Sequence, residues 1–121
     1  MSIQNNKNLT PFIVEAIQDR KGKRISVLDL SEIEGAPAFE FIICQANSPT
    51  QVAAIADSVR DSLLEKIHVK PYNYDGYGSS EWIVIDYGDI LVHIFYHQTR
   101  EHYNLEELWS DAAITEIPDL D

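Results

Sequence analysis

Residues 82–95, WIVIDYGDILVHIF, alternate between two sets of side chains on either side of a Tyr-Gly pair. Alternation of this kind predicts two β-strands joined by a tight turn. Tyr87-Gly88 is the expected two-residue loop, because glycine takes the positive φ that such loops need. The resulting register pairs Asp86 with Asp89, Val84 with Leu91, and Trp82 with His93.

The predicted hairpin has one apolar face and one mixed face. The mixed face carries Trp82, His93 and the Asp pair. Two carboxylates placed opposite each other lower stability unless a cation, a metal or solvent offsets their repulsion. The mixed face is therefore the candidate functional surface. The apolar face is expected to pack on the core, and it consists of Ile83, Ile85, Ile90, Val92 and Ile94.

Helix-start patterns occur at two places before the hairpin. Thr10-Pro11 predicts an N-cap followed by proline, which opens a helix that runs to about Arg20. Ser48-Pro49 repeats the pattern, with Gln51 completing a capping box, and this helix should reach about Lys66. Strands are predicted over residues 24–30, 39–45 and 69–74, the last at a sheet edge because it contains Pro71, and a third helix is predicted over about 98–109.

The order α-β-β-α-β-β-β-α predicts a mixed α/β (α+β) domain with a five-stranded sheet and flanking helices. The strand-helix-strand run over residues 39–74 is typical of a parallel crossover, whereas the short connections elsewhere favour antiparallel pairs. A chain of 121 residues suits a single domain spanning 1–121. Its core is expected at about 10–109, followed by a loosely held acidic tail at 110–121.

Charge is the strongest global signal. Nine Lys and Arg against 20 Asp and Glu give a net charge of −11, and residues 101–121 contain no Lys or Arg. This balance disfavours direct DNA binding and leaves little direct RNA binding. It favours a basic protein partner, chiefly through faster encounter.

Other features of the sequence limit where the protein is expected to lie and which chemistry it is expected to perform. The chain contains no run of roughly 18 apolar residues, so a membrane span is not expected. The N-terminal residues lack the pattern of a signal or transit peptide, which predicts a cytoplasmic location. The single Cys44 excludes an internal disulfide and a thiolate zinc site.

The Asp pair raises the alternative of a metal-dependent, nucleotidyltransferase-like enzyme. Asp86 and Asp89 could hold magnesium, with Asp29 as a third ligand. Phosphoryl chemistry would also need a Gly-rich turn that runs into a helix N-terminus, but Gly78-Ser79-Ser80 runs into a strand. The histidines offer no tight ligand spacing: His93, His97 and His102. The pattern favours a docking surface without metal, cofactor or catalytic residues.

The last predicted helix adds to this surface. Helical spacing places Leu105, Leu108 and Trp109 on the side that packs on the sheet. Tyr103 falls on the opposite side, where an aromatic ring among acids suits a basic partner. A tyrosine that merely covers a sheet edge is the competing interpretation. The candidate partner-binding residues are Trp82, Asp86, Asp89, Tyr103, Glu106 and Glu107.

Residues 82–94, followed by Arg100 and the string YNLEELW at 103–109, resemble the signature of the ribosomal silencing factors, also called the Iojap family. The resemblance covers roughly residues 10–109. It implies a fold related to the nucleotidyltransferases but without transfer activity. It also implies a translation regulator that binds the large ribosomal subunit through ribosomal protein fourteen and keeps the subunits apart when nutrients are short.

Three interpretations therefore stay open, and each predicts a different behaviour. A silencing factor binds free large subunits and turns over no nucleotide. A metal-dependent transferase binds magnesium and nucleotide. A plain dimerisation module forms a homodimer and does neither, and exposed aromatic residues at Trp82 and Tyr103 would suit that behaviour as well.

Overall fold

Six strands and four helices occupy residues 9–120, the part of the chain that the computed structural model describes. In chain order they are α1 (Thr10–Asp19), β1 (Lys23–Asp29), β2 (Glu40–Ala46), α2 (Pro49–Ile67), β3 (Asn73–Asp75), β4 (Trp82–Asp86), β5 (Ile90–Tyr96), α3 (His97–Tyr103), α4 (Leu105–Leu108) and β6 (Ala113–Ile117).

The strands form one mixed sheet in the order β3-β4-β5-β2-β1-β6. β2 and β5 pair in parallel, and the other neighbours pair antiparallel. A mixed sheet with flanking helices confirms the predicted fold class. The predicted crossover is only partly right: β3 lies at the sheet edge, as expected, but the parallel neighbour of β2 is β5.

The sheet has six strands rather than five because part of the acidic C-terminal segment joins it. β6 pairs antiparallel with β1, with Ile117 opposite Ile25 and Ala113 opposite Asp29. The prediction of a loosely held tail is therefore wrong for these residues. The segment contains the β-branched side chains Ile114, Thr115 and Ile117, which favour a strand despite the surrounding negative charge.

The two helix starts differ in how well they match prediction. Ser48 caps α2 as expected, since its Oγ accepts the Gln51 N–H at 3.1 Å. The Gln51 side chain accepts from the Asn47 N–H rather than from the cap residue itself. Thr10 is not a cap: its hydroxyl donates to the Glu40 carboxylate at 3.1 Å, and Leu9 occupies the cap position of α1.

The sheet is covered on both faces. Helices α1 and α2 cover one face, where the apolar side of the hairpin is buried as predicted. Helix α4 with the residues just after it, and the β1–β2 connection, cover part of the other face. This second core consists of Leu28, Leu30, Ala38, Phe41, Ile43, Phe95 and Leu105, with Trp82, Leu91 and Trp109 partly buried against it.

The predicted last helix is broken into α3 and α4. Asn104 separates them in the left-handed conformation, with φ 48° and ψ 60°. Asn is among the few residues other than glycine that tolerate this conformation. A helical spacing cannot be continued across such a break, and the predicted burial of Leu108 is wrong. Leu105 is 8% exposed, as expected for the core, whereas Leu108 is 70% exposed.

This contrast gives a stability prediction. Leu105→Ala removes a buried side chain and should lower the free energy of unfolding by roughly 2 to 5 kcal/mol. Leu108→Ala removes an exposed side chain and should leave it within about 0.5 kcal/mol of wild type. Thermal or urea unfolding of the two variants measures the difference. Equal losses would place Leu108 in the core after all.

Candidate partner-binding surface

The hairpin turn lies one residue later than predicted. Gly88 and Asp89 form the loop, because the Tyr87 N–H donates to the Ile90 carbonyl at 2.9 Å and closes the last strand pair. Gly88, with φ 90°, takes the first loop position, where some two-residue turns require glycine. The observed pairs are Trp82 with Phe95, Val84 with His93, and Asp86 with Leu91.

The predicted register is therefore wrong by two residues, but the predicted faces are right. A shift of two residues keeps every side chain on its original side of the sheet, whereas a shift of one would have inverted both faces. Asp86 and Asp89 do not lie opposite each other. The predicted repulsion between their carboxylates across the two strands is therefore absent. Asp86 Oδ1 accepts the Gly88 N–H at 2.7 Å. The Asp89 carbonyl accepts the N–H groups of Phe39 and Glu40, both at 3.0 Å.

Asp29, the proposed third metal ligand, already accepts hydrogen bonds at the end of its own strand, β1. Its carboxylate accepts the hydroxyl and the backbone N–H of Ser31, at 2.6 and 2.9 Å. These bonds lower the pKa of Asp29. Among residues 9–120, no group of three or more His, Cys, Asp and Glu residues is arranged to hold a metal ion.

Trp82 and Tyr103 lie together, and we call them the aromatic pair. Their ring centroids are 4.7 Å apart, with Trp82 on β4 and Tyr103 at the end of α3. Trp82 also stacks on Phe95 at 5.0 Å, so one side of its ring is held against the second core. Tyr103 is 50% exposed. An open cleft beside the pair is lined by Tyr96, Thr99 and His102.

His93 holds Trp82 in place from below. Trp82 Nε1 donates to His93 Nδ1 at 3.1 Å, and the Phe41 ring meets the imidazole edge-on at 4.5 Å. Burial lowers the pKa of His93 to about 4, against a smaller opposing effect of Glu106. The imidazole is therefore neutral at physiological pH, with its proton on Nε2 because Nδ1 accepts.

Arg100 fixes α3 and α4 to the sheet. Its guanidinium donates to the Arg24 carbonyl at 2.7 Å, to Gln45 Oε1 at 3.1 Å and to Ser26 Oγ at 3.2 Å. It also forms an ion pair with Glu106. We call this set of bonds the Arg100 clamp. The strand pairing shifts register between residues 23 and 26, where Arg24 has φ 53°.

The acidic residues predicted around Tyr103 separate into two kinds. Glu106 is turned inward to Arg100 and is not part of an open acidic rim. Glu107 is exposed, and its carboxylate accepts from the Asn104 side chain at 2.9 Å. Leu108 joins the exposed side of α4 instead of the core. The sequence placed His93 on the mixed face but did not predict that it accepts a hydrogen bond from Trp82. The exposure of Leu108 was also not predicted, and Asn104 is the residue that signals the helix break behind it.

Together these features describe a small mixed α/β domain with an aromatic pair at its surface, supported from beneath by a neutral histidine. In the described part of the chain, no helix is long and apolar enough to span a membrane. Residues 3–121 match the family model described as "Ribosomal silencing factor during starvation". The chain belongs to this family, which confirms the resemblance found in the sequence.

Individual relatives and a solved structure agree with the family assignment. The ribosomal silencing factor RsfS of Halalkalibacterium halodurans is 37% identical over 114 residues, covering 93% of this chain and 95% of that protein. RsfS of Bacillus subtilis is 35% identical over 114 residues, covering 93% and 94%. A crystal structure of a protein from Chromobacterium violaceum matches with a TM-score of 0.82 at 33% identity, covering 88% of each chain.

The buried imidazole makes stability depend on pH. The unfolded chain gains a proton at His93 as pH falls below 6.5, whereas the folded chain does not do so until about 4. The free energy of unfolding should therefore drop by roughly 1 to 2 kcal/mol between about pH 7 and pH 5. His93→Gln should flatten this part of the profile.

Chemical denaturation of both proteins across this pH range measures the effect. Glu40, whose pKa is raised by burial, contributes a gain in stability as pH falls, but it does so equally in wild type and variant. Identical pH slopes for the two proteins would show that His93 does not remain neutral in the fold.

Proposed function

We propose that this protein binds the large ribosomal subunit through ribosomal protein fourteen. Bound there, it sterically blocks joining of the small subunit and represses translation in the cytoplasm under nutrient limitation. Family membership is the observation that carries the proposal, because the similar proteins bear the name ribosomal silencing factor. The partner and the mechanism are those that the resemblance in residues 82–94 and 100–109 implies.

The aromatic pair supports a protein partner. Tyr and Trp are enriched among the residues that dominate binding energy at protein interfaces. Tyr103 offers half of its surface to solvent while its ring rests on Trp82, and Leu108 adds a largely exposed apolar side chain nearby in sequence. Trp82 is stacked and hydrogen-bonded beneath, so little side-chain freedom remains to be lost on binding.

The charge of the chain supports a basic partner. Glu101 and Glu107 are exposed on either side of Tyr103 in the sequence, and no Lys or Arg follows Arg100. Exposed charges at the rim of an interface act mainly on the rate of encounter. Glu106 takes no part in this steering, because it is paired with Arg100 inside the chain. Charge reversal intended to slow association therefore belongs at Glu101 and Glu107.

Steric exclusion needs no chemistry from the bound protein. A domain of 121 residues is about 35 Å across. Docked at the face that receives the small subunit, a body of this size occupies space that the joined ribosome requires. The carboxylates considered for metal binding instead support the backbone, Asp29 at Ser31 and Asp86 at Gly88. We accordingly propose a regulator without catalytic activity.

The binding prediction concerns purified ribosomal protein fourteen. Tyr103→Ala should weaken binding by about thirtyfold or more, which corresponds to about 2 kcal/mol. Its melting temperature should stay near wild type, because the side chain is half exposed. Tyr103 is a cleaner probe than Trp82, whose truncation also removes the stack on Phe95 and the bond to His93. Calorimetry or surface plasmon resonance gives the affinities.

Tyr72→Ala is the matched control. Tyr72 is 83% exposed and precedes β3, and its N–H donates to the Asp86 carbonyl at the end of β4 opposite to Trp82. This variant should bind as wild type does. Equal affinity of the Tyr103→Ala and wild-type proteins would remove the aromatic pair from the interface. A wild-type protein that self-associates in sedimentation and ignores the ribosomal protein would instead support the dimerisation module.

A further inference from the structure

A compact basic segment lies in this otherwise acidic chain. Residues 20–24, RKGKR, hold four of the nine Lys and Arg residues, whereas acidic residues number 20. We call this segment the cationic turn. It runs from the end of α1 into the first two residues of β1, and Arg20, Lys21 and Arg24 are exposed. Docking of acidic residues onto a basic protein would not explain this cluster of positive charge.

The backbone of the cationic turn is held rigidly. The Gln51 side-chain amide donates to the carbonyls of both Arg20 and Lys21, at 3.2 Å each. Gly22 is buried, and a Cβ there would come within 2.4 Å of Ile17 Cγ2. Lys21 and Arg24 have φ of 64° and 53°, values at which glycine is normally preferred. A fixed backbone lowers the entropy lost when these cations bind a ligand.

The cationic turn lies at the same end of the sheet as the aromatic pair. In successive strands, Lys23 pairs with Gln45, Gln45 with Phe95, and Phe95 with Trp82. Three strand spacings separate the two ends of this row, which is about 14 Å. The Arg100 clamp links them directly, because α3 donates to the Arg24 carbonyl. When a large partner is bound at Trp82 and Tyr103, the molecules next to that partner would therefore lie beside the cationic turn.

We propose that the cationic turn binds the phosphate backbone of ribosomal RNA next to the docked protein partner. The inference rests on the proposed function. A basic protein that is attracted by Glu101 and Glu107 would repel Arg20 and Lys21, whereas a ligand of opposite charge would be attracted by these two exposed cations. On a ribosome the abundant polyanion is RNA, and Arg and Lys are the side chains that contact its phosphates.

The net charge of −11 and the local charge of the turn have different consequences. The net charge repels free RNA at long range, which makes RNA a poor primary ligand. Within a docked complex the turn is already beside its ligand, and screening shortens the reach of acids elsewhere in the chain to about 10 Å. Asp119 is not among these, because its carboxylate accepts the Arg24 N–H at 2.8 Å, and the phosphate contact therefore falls to Arg20 and Lys21. The RNA contact thus adds affinity and orientation to a complex that the protein interface forms.

The test compares two ligands with one variant. Arg20→Ala combined with Lys21→Ala should weaken binding to intact large subunits several-fold and leave affinity for isolated ribosomal protein fourteen unchanged. The salt dependence of subunit binding should fall by roughly 0.7 to 0.9 log units per log of salt for each phosphate that the variant no longer neutralises. Lys70→Ala, at an exposed cation remote from the turn in sequence, is the control and should change neither affinity.

The outcomes separate this inference from the function on which it rests. Unchanged affinity for intact subunits would refute the RNA contact while leaving the docking intact. Parallel losses with both ligands would mean that the turn touches the protein. Failure of the wild-type protein to bind either ligand would instead refute the proposed function.

A tethered cleavage reagent identifies the neighbour directly. Cys44 is fully buried, and burial raises the pKa of its thiol to about 12, so it should resist labelling. An iron chelate on the thiol of Lys21→Cys should cut ribosomal RNA in the complex at defined positions. The same chelate on Lys70→Cys should not reproduce those cuts. Absence of cleavage, or identical cleavage from both sites, would overturn the proposal.

Discussion

The Arg100 clamp is the interaction on which the arrangement of the surface depends. A buried guanidinium is costly unless each donor finds an acceptor. The two terminal nitrogens of Arg100 find four acceptors: a carbonyl, an amide oxygen, a hydroxyl and a carboxylate, which lie on β1, β2 and α4. Loss of Glu106 would leave the buried guanidinium without its counter-charge, a change that costs about 3 to 5 kcal/mol where both partners are fully buried. Lysine could not replace it, since an ammonium lacks the planar fork of donors.

Because the clamp sets the position of α3, it also sets the position of Tyr103 over Trp82. From there the contacts continue inward, through the stack of Trp82 on Phe95 and the bond from Trp82 to His93. Burial keeps the imidazole neutral by lowering its pKa, so this bond is maintained at physiological pH. The exposed surface is therefore the outermost layer of a rigid stack. Its rigidity suits the proposed function, in which the protein acts by occupying a site on the large ribosomal subunit.

Local signals in the sequence predicted the elements that depend on local chemistry. Ser48-Pro49 marked the start of α2, and the alternation after Trp82 identified the buried face of the hairpin. Tertiary context decided the rest. Whether Gly88 takes the first or the second loop position fixes the register, and the sequence permitted both. The pairing of β6 with β1 joins segments nearly 90 residues apart, where no local pattern reports the partner.

The same distinction explains the outcome for the candidate site. Tyr103 was predictable as an exposed aromatic, whereas Trp82, which was expected to be exposed, is partly buried against the second core. Their contact with each other arises from the clamp and the break at Asn104. The break also turned Glu106 inward and Leu108 outward, against a prediction that assumed one continuous helix. The charge composition correctly indicated an acidic protein. It did not reveal the cationic turn, because the net charge does not show where the Lys and Arg residues cluster.

Occupation of the large subunit by this surface should prevent subunit joining, and light scattering follows that event directly. Purified large subunits are mixed with the protein, small subunits are added with magnesium, and the formation of whole ribosomes is recorded. Wild type should lower the amount of joined ribosome in proportion to the large subunits it occupies, whereas Tyr103→Ala should not. Joined ribosomes that form at the normal level with wild-type protein still bound would contradict steric exclusion as the mechanism.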